Sequence, residues 1–135
     1  MSTVTYFTDK SQPCEVEKTL VMKNEAVIDF TLNPCISGDV VQALDIPAGA
    51  FVTAVVTNVI TADANTVDVG DATDPNGWDA SIDTSSTGVI LGNGAYASAG
   101  GKYYASADTI DLTITNNMDT GKISVVASYF MLENL

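Results

Sequence analysis

The 135-residue chain has no histidine and no arginine, and lysine supplies all five of its basic residues. Histidine is the commonest general base near neutral pH, and arginine binds carboxylates and phosphates through two parallel hydrogen bonds. Without histidine, a Ser-His-Asp or Cys-His catalytic arrangement is impossible, and a zinc site would lack imidazole ligands. The composition therefore points away from an enzyme.

Positive charge is scarce in this chain, whereas negative charge is abundant. Seventeen acidic residues against five lysines give a net charge of -12 at pH 7. Nucleic acids and anionic membranes both require clustered basic side chains, so neither is expected as a partner. Because 46% of the residues are apolar, the chain can form a hydrophobic core, and its length fits one domain.

Long hydrophobic runs are missing as well. No stretch approaches the roughly 20 apolar residues that span a bilayer, and the first ten residues lack the basic-then-apolar pattern of a secretion signal. We therefore expect the chain to be made in the cytoplasm. In that compartment Cys14 and Cys35, the two cysteines, are expected to be free, partly buried thiols rather than a disulfide.

Most of the chain shows the period-two alternation of β-strands. The clearest case alternates Ile110, Leu112 and Ile114 with polar residues, and residues 27–32 show the same pattern. Residues 51–61 are apolar on both faces, which predicts a central strand covered on both sides, and residues 123–132 are similar. With turn signals between the runs, the sequence predicts an all-β, antiparallel, jelly-roll-like sandwich of about eight strands.

Three segments depart from this strand pattern. Residues 1–24 contain three of the lysines and alternate weakly, which fits either an N-terminal arm or a frayed edge strand, with the sandwich domain over residues 25–135. Residues 79–86 are rich in Asp and Ser and are the predicted site of the only helical turn. Residues 88–101 are rich in small side chains and predict a long exposed loop.

Residues 67–83 contain the densest group of oxygen-bearing side chains. Calcium takes six to eight oxygen ligands, and this loop offers several: Asp68, Asp71, Asp74, Asn76 and Asp79. The order does not match an EF-hand loop. The simpler interpretation is a turn at residues 74–77, in which Asp and Asn side chains bond the local backbone. The sequence therefore assigns no metal, no cofactor and no catalytic residue.

Aromatic side chains offer two further alternatives. Trp78, the only tryptophan, either stacks on a sugar or a partner, or anchors its loop on the core with the indole N–H bonded to backbone. Tyr96, Tyr103 and Tyr104 could form a binding loop; alternatively, Tyr103 and Tyr104 begin a strand and one of them packs inward. Paired carboxylates could hydrolyse a glycoside, but no spacing selects a pair, and Ser81, Ser85 and Ser86 have no base near them in the sequence.

A series of turn and strand motifs resembles small proteins encoded beside the head genes of tailed bacteriophages. The resemblance covers about residues 45–131 and is carried by residues 45–49, 66–71, 74–78, 102–104, 108–113 and 121–123. Some members of this family are capsid decoration, or cement, proteins with a jelly-roll-like sandwich. The resemblance carries over no catalytic residues.

The resemblance implies a structural virion protein that binds the outside of the capsid shell. Its expected partners are the major capsid protein and further copies of itself, with a trimer favoured over a dimer or monomer. The alternative function is a head-fibre or tail adhesin module that binds host-surface glycans, which Trp78 and the tyrosines suggest. A glycosidase is the third hypothesis.

Overall fold

The structure is a computed structural model, and it describes residues 21–132. It contains nine strands and one four-residue helix, so the all-β prediction is confirmed. The elements are β1 (Met22–Asp29), β2 (Val40–Ile46), β3 (Ala50–Thr61), β4 (Thr66–Gly70), β5 (Asp79–Asp83), β6 (Gly88–Leu91), α1 (Ala95–Ser98), β7 (Lys102–Tyr104), β8 (Asp108–Ile114) and β9 (Lys122–Met131).

The strands form two antiparallel sheets that pack face to face. Sheet 1 has the order β1-β9-β3-β6, with β7 paired to β3, and sheet 2 has the order β2-β8-β4-β5. Consecutive strands pass repeatedly from one sheet to the other, which gives the interleaved connections of an eight-stranded jelly roll. The predicted jelly-roll-like sandwich is confirmed, with the three-residue β7 as an addition.

The core lies between the sheets and follows the alternation in the sequence. Ile110, Leu112 and Ile114 of β8 are buried beside Val67 and Val69 of β4. From sheet 1, residues of β3 and β9 close the core from the other side: Val52, Val55, Val59, Ile123, Val125 and Ala127. Burial of such side chains contributes roughly 1.5–3 kcal/mol each, which makes this two-sided layer the main source of stability.

Strand β3 differs from its prediction in one respect. It is central in its sheet, because β9 pairs along one side and β6 and β7 along the other. However, it is covered on one face only: Val55 and Val59 are buried, whereas Ala54 and Ile60 are exposed. The prediction that both faces are covered is therefore wrong, since no described residue packs on the outer side of β3.

The predicted positions of the helical turn and the long loop are also wrong. Residues 79–83 form β5, which pairs with β4. The helical turn is α1, within residues 88–101, and β6 occupies the first part of that segment. Alanine is the best helix former, and it stands at positions 95 and 97 of α1. Tyr96 between them packs against the core cluster, which fixes the turn in place.

The described range bears on the N-terminal prediction and on the cysteines. Residues 22–24 belong to β1, whereas residues 1–20 lie outside the described residues, so the division at residue 24 stays a prediction.

Of the two cysteines, Cys14 lies outside the described residues, and Cys35 is a half-buried free thiol. Burial, reinforced by the charge of Asp39, raises the pKa of the Cys35 thiol. Within residues 21–132, no helix is long and apolar enough to cross a membrane.

Candidate functional site

The turn between β4 and β5 separates the aspartates that the sequence grouped together. Asp68 Oδ1 accepts the N–H of Ser81 at 2.7 Å, and Asp74 Oδ1 accepts the N–H of Asn76 at 3.4 Å. Asp71 points inward, and Asp79 is buried at the start of β5. Within residues 21–132, no group of three or more potential metal-ligating side chains comes together. The turn interpretation therefore describes this loop.

Asp71 is the centre of a buried polar cluster at the end of the sandwich where β4 ends. Its Oδ2 accepts hydrogen bonds from Lys102 Nζ at 2.6 Å and from the Tyr104 hydroxyl at 2.9 Å. Its Oδ1 accepts the Tyr96 hydroxyl at 3.2 Å, and the N–H groups of Thr73 and Asp74 at 3.0 and 2.9 Å. Five donors thus converge on one carboxylate whose side chain is wholly buried.

The aromatic rings around Asp71 complete the cluster. Lys102 Nζ lies 4.4 Å from the ring centroid of Tyr96 and 4.6 Å from that of Tyr104, within the range of cation–π attraction. The indole of Trp78 donates from Nε1 to the Tyr104 hydroxyl at 3.1 Å and packs edge-on against Tyr96. The cluster therefore ties the β4–β5 turn, α1 and β7 to one another.

The electrostatics of the cluster follow from its contacts. Burial opposes the charged form of Asp71, yet Lys102 and the hydrogen bonds of Asp74 and Tyr104 outweigh it, so the pKa of Asp71 lies below its ordinary value. For Lys102, burial is likewise outweighed by Asp71 and Tyr96, and its pKa is raised. Burial raises the pKa of Tyr104 strongly. At neutral pH the ion pair is charged and Tyr104 is protonated.

This arrangement suits structure better than chemistry. A general base needs an accessible lone pair near the proton that it abstracts. Both oxygens of Asp71 are already occupied by donors, and its side chain has no exposed surface. A buried, fully satisfied polar network makes the local structure rigid. We therefore assign the cluster to fastening the loops at this end of the sandwich.

The structure decides between the alternatives for the aromatic residues. Trp78 is wholly buried, so it is the predicted anchor rather than a stacking platform, although its N–H bonds the Tyr104 side chain and not backbone. Tyr104 packs inward, as the strand alternative requires, and Tyr103 is exposed. Tyr96 is half-buried against Trp78. Of the aromatic residues proposed for a glycan site, Tyr103 alone is exposed.

Asp79 is the second unusual carboxylate. Its Oδ2 is the one buried side-chain oxygen in residues 21–132 that lacks a hydrogen-bond partner. Burial, assisted by the charge of Asp68, raises its pKa. Asp79 borders an open cleft of about 380 Å³ between the edge strands β5 and β6, and Ser81 and Ser86 line the same cleft. The described part of the chain offers these serines no histidine as a base, and Ser85 is exposed in the adjoining loop.

Two parts of this end of the molecule were missed by sequence reasoning. Lys102 was noticed only as part of a resembling motif, because its partner Asp71 stands 31 residues earlier. The alternation of Ile110, Leu112 and Ile114 predicts that Asp111 between them faces solvent. Asp111 is buried instead, and burial together with the charges of Asp108 and Asp71 raises its pKa. The available signal was that residues 29–119 contain a single lysine, twelve aspartates and no glutamate.

Comparison with known proteins shows that the fold of this chain is similar to that of solved structures. No protein-family model matches the chain, and no curated protein matches it. The chain is similar to a chain of the cyanophage Pam1 capsid asymmetric unit, with a TM-score of 0.65, 18% identity, and coverage of 97% of this chain and 99% of that one.

Two further phage capsid structures contain similar chains. For the capsid of Ralstonia phage GP4 the TM-score is 0.67 at 16% identity, with 93% of each chain covered. For the acid-stable capsid of Helicobacter pylori bacteriophage KHP30 the TM-score is 0.59 at 16% identity, covering 85% of this chain and 90% of that one. At these identities the likeness shows the fold, a jelly roll that this chain shares almost end to end with chains of phage capsids.

Proposed function

We propose that this chain is a structural protein of a phage virion and that it decorates the outside of the capsid shell. The observation that carries the proposal is the end-to-end likeness to chains of three phage capsid structures, which covers 85–97% of this chain. Because nearly the whole chain is covered, the likeness extends over the entire sandwich and is not confined to one sheet or one motif.

The chemistry of the described residues supports a structural role. The most densely bonded carboxylate, Asp71, is saturated by its own hydrogen bonds, and residues 21–132 bring no metal-ligand group together. A decoration protein needs a rigid body with exposed surfaces of definite charge rather than a reactive group. The buried cluster around Asp71 supplies rigidity at the end that carries the β4–β5 turn.

The outer face of sheet 2 is the surface that we assign to the shell. Its strands carry acidic side chains and none of the described lysines. The outward-pointing carboxylates with exposed surface are those of Asp45, Asp68 and Asp83. Such a face complements basic patches of a partner, which gives fast, specific and salt-sensitive association. The proposed partner is the major capsid protein.

Several copies act together in this proposal, and a trimer is the favoured assembly. Linked copies that each contact the shell weakly bind together much more tightly than one copy, because the later contacts form at high effective concentration. The shell is stabilised in return, since any ligand that binds the assembled state alone shifts the equilibrium toward it.

The adhesin alternative keeps only Tyr103 of the exposed aromatic side chains that it requires. Stacking on a sugar requires an exposed aromatic face, and the only tryptophan is wholly buried. No specific observation in the described residues favours glycan binding or glycoside hydrolysis over the virion role.

The test is co-sedimentation of the purified chain with shells that lack it. The expected result is saturable binding at a fixed ratio to the major capsid protein, weakened by added salt. The variants Asp45→Asn and Asp83→Asn are each expected to bind several-fold more weakly, whereas Asp119→Asn, which removes an exposed charge outside both sheets, is expected to bind normally. A chain that stays in the supernatant at all concentrations contradicts the proposal.

A further inference from the structure

The outer face of sheet 1 combines exposed aliphatic side chains with uncharged polar ones, such as Asn58, Ser124 and Ser128. Strand pairing places alternate residues of β1, β9, β3 and β6 on the side opposite to the core. The aliphatic residues of this side are Val27, Val56, Ile60, Val89, Leu91 and Val126. Val89 and Leu91 are 65% and 72% exposed. We call this surface the neutral face.

Aromatic side chains extend the neutral face toward β7. Phe51 and Phe130 are paired across β3 and β9, and their rings stack with centroids 5.4 Å apart. Tyr103 is the neighbour of Phe51 on β7, and it is exposed. These rings form a second apolar group on the neutral face, and Ser128 of β9 lies between them and Val126.

The charges on the neutral face cancel, in contrast to the rest of the molecule. It carries two lysines and two acidic residues in two ion pairs, Lys23 with Glu25 and Lys122 with Asp29, each at 3.7 Å. Residues 21–132 contain thirteen acidic residues and three lysines. Eleven acidic residues and one lysine therefore lie elsewhere, and the net negative charge of the described chain lies off this face.

The neutral face has the footprint of a small protein contact. Its strands β1, β9, β3 and β6 have 8, 10, 12 and 4 residues. At about 3.3 Å per residue and about 4.8 Å between strands, they cover about 540 Å². A standard protein interface buries about 800 Å² on each partner, and transient contacts bury less. A face of this size suits reversible association between copies.

We propose that copies of this chain associate with one another through the neutral face. Two copies, each with a charge of -12, repel each other wherever their acidic surfaces approach. The charges of the neutral face cancel, so two copies can approach through this face without that repulsion. The shell is the less suitable occupant, because a basic partner surface is attracted to the acidic outer face of sheet 2. The inference rests on the proposed self-association and names the surface that forms it.

The test compares two valine variants of the full-length chain by sedimentation velocity over a range of concentrations. Val89→Glu places a charge on the neutral face. Val40→Glu makes the same change at a valine that is 56% exposed on the outer face of sheet 2, opposite to the neutral face. Both positions are exposed, so the fold should tolerate both changes, and circular dichroism checks that it does. Val27→Glu, at the other edge of the neutral face, repeats the test should Val89→Glu misfold.

We expect the wild-type chain and Val40→Glu to sediment as the same oligomer, and Val89→Glu to dissociate at least about tenfold more readily. High salt should preserve the oligomer, because the contact is apolar. A wild-type monomer at all concentrations, an unchanged oligomer in Val89→Glu, or equal dissociation of both variants would each overturn the inference.

Shell binding is measured in parallel so that the two proposals fail separately. A wild-type oligomer that depends on Val89 but does not bind shells upholds the inference and refutes the virion role. A chain that binds shells as a monomer, and loses this binding in Val89→Glu, makes the neutral face the shell contact. That result refutes the inference and the assignment of sheet 2 to the shell, but it upholds the virion role.

Discussion

Removing Lys102 tests the buried cluster at the end of the sandwich. In Lys102→Met the Asp71 carboxylate, whose side chain is wholly buried, loses its cation. Breaking a buried ion pair by deleting one partner costs about 3–5 kcal/mol. Asp71 keeps four of its five hydrogen-bond donors, from Thr73, Asp74, Tyr96 and Tyr104, so we expect the lower end, about 3 kcal/mol at pH 7.

Urea unfolding monitored by fluorescence measures this loss. Trp78 is the only tryptophan and bonds the same Tyr104, so its emission reports on the cluster directly. With a slope of about 2 kcal/mol per molar urea, the midpoint should fall by about 1.5 M. The matched control is Lys23→Met, which removes a lysine from an exposed pair with Glu25 and should change stability by less than about 1 kcal/mol.

The pH dependence of the free energy of unfolding tests whether the charged form of Asp71 is the source of this stability. The pKa of Asp71 is lowered in the folded chain, so its contribution is present above the unfolded value of 3.8 and is lost as the pH falls through the folded pKa. The difference between wild type and Lys102→Met should therefore shrink below about pH 4. Equal midpoints for Lys102→Met and Lys23→Met at pH 7 would refute the role assigned to the cluster.

Three further outcomes are expected. Asp79→Asn should stabilise the chain by about 1 kcal/mol at pH 7. Burial raises the pKa of Asp79, so its charged form lowers the stability of the fold as the pH rises above 3.8. The gain should therefore vanish near pH 3, and a loss of stability at pH 7 would contradict this reasoning. Chelation of divalent cations should leave the melting temperature unchanged, since the aspartates of the β4–β5 turn are separated; a fall would reinstate a calcium site. Host glycans should not alter Trp78 fluorescence, because the indole is wholly buried, and saturable quenching would revive the adhesin hypothesis.

The sandwich was predictable because its strands alternate so regularly. Ile110, Leu112 and Ile114 are all buried on one face of β8, as their spacing predicts. The turn signals at residues 47–49 and 74–77 stand between strands as well. These features are local: the period of a strand and the chemistry of a turn can be read from neighbouring residues.

The predictions that failed concern features that depend on contacts between residues far apart in the sequence. Apolar residues on both sides of β3 predicted burial on both sides, but what covers an outer face is decided by other elements or other chains. The pairing of Lys102 with Asp71 joins residues far apart in the sequence, which no local pattern encodes. The single turn of α1 depends on Tyr96 packing beside Trp78 more than on helix propensity.

The most direct test of the proposed virion role is the number of copies of this chain in virions purified from its source, measured by quantitative mass spectrometry. The account predicts hundreds of copies in a fixed ratio to the major capsid protein. A dozen to a few dozen copies would indicate a vertex fibre or a tail component, and absence from the virion would contradict the account altogether.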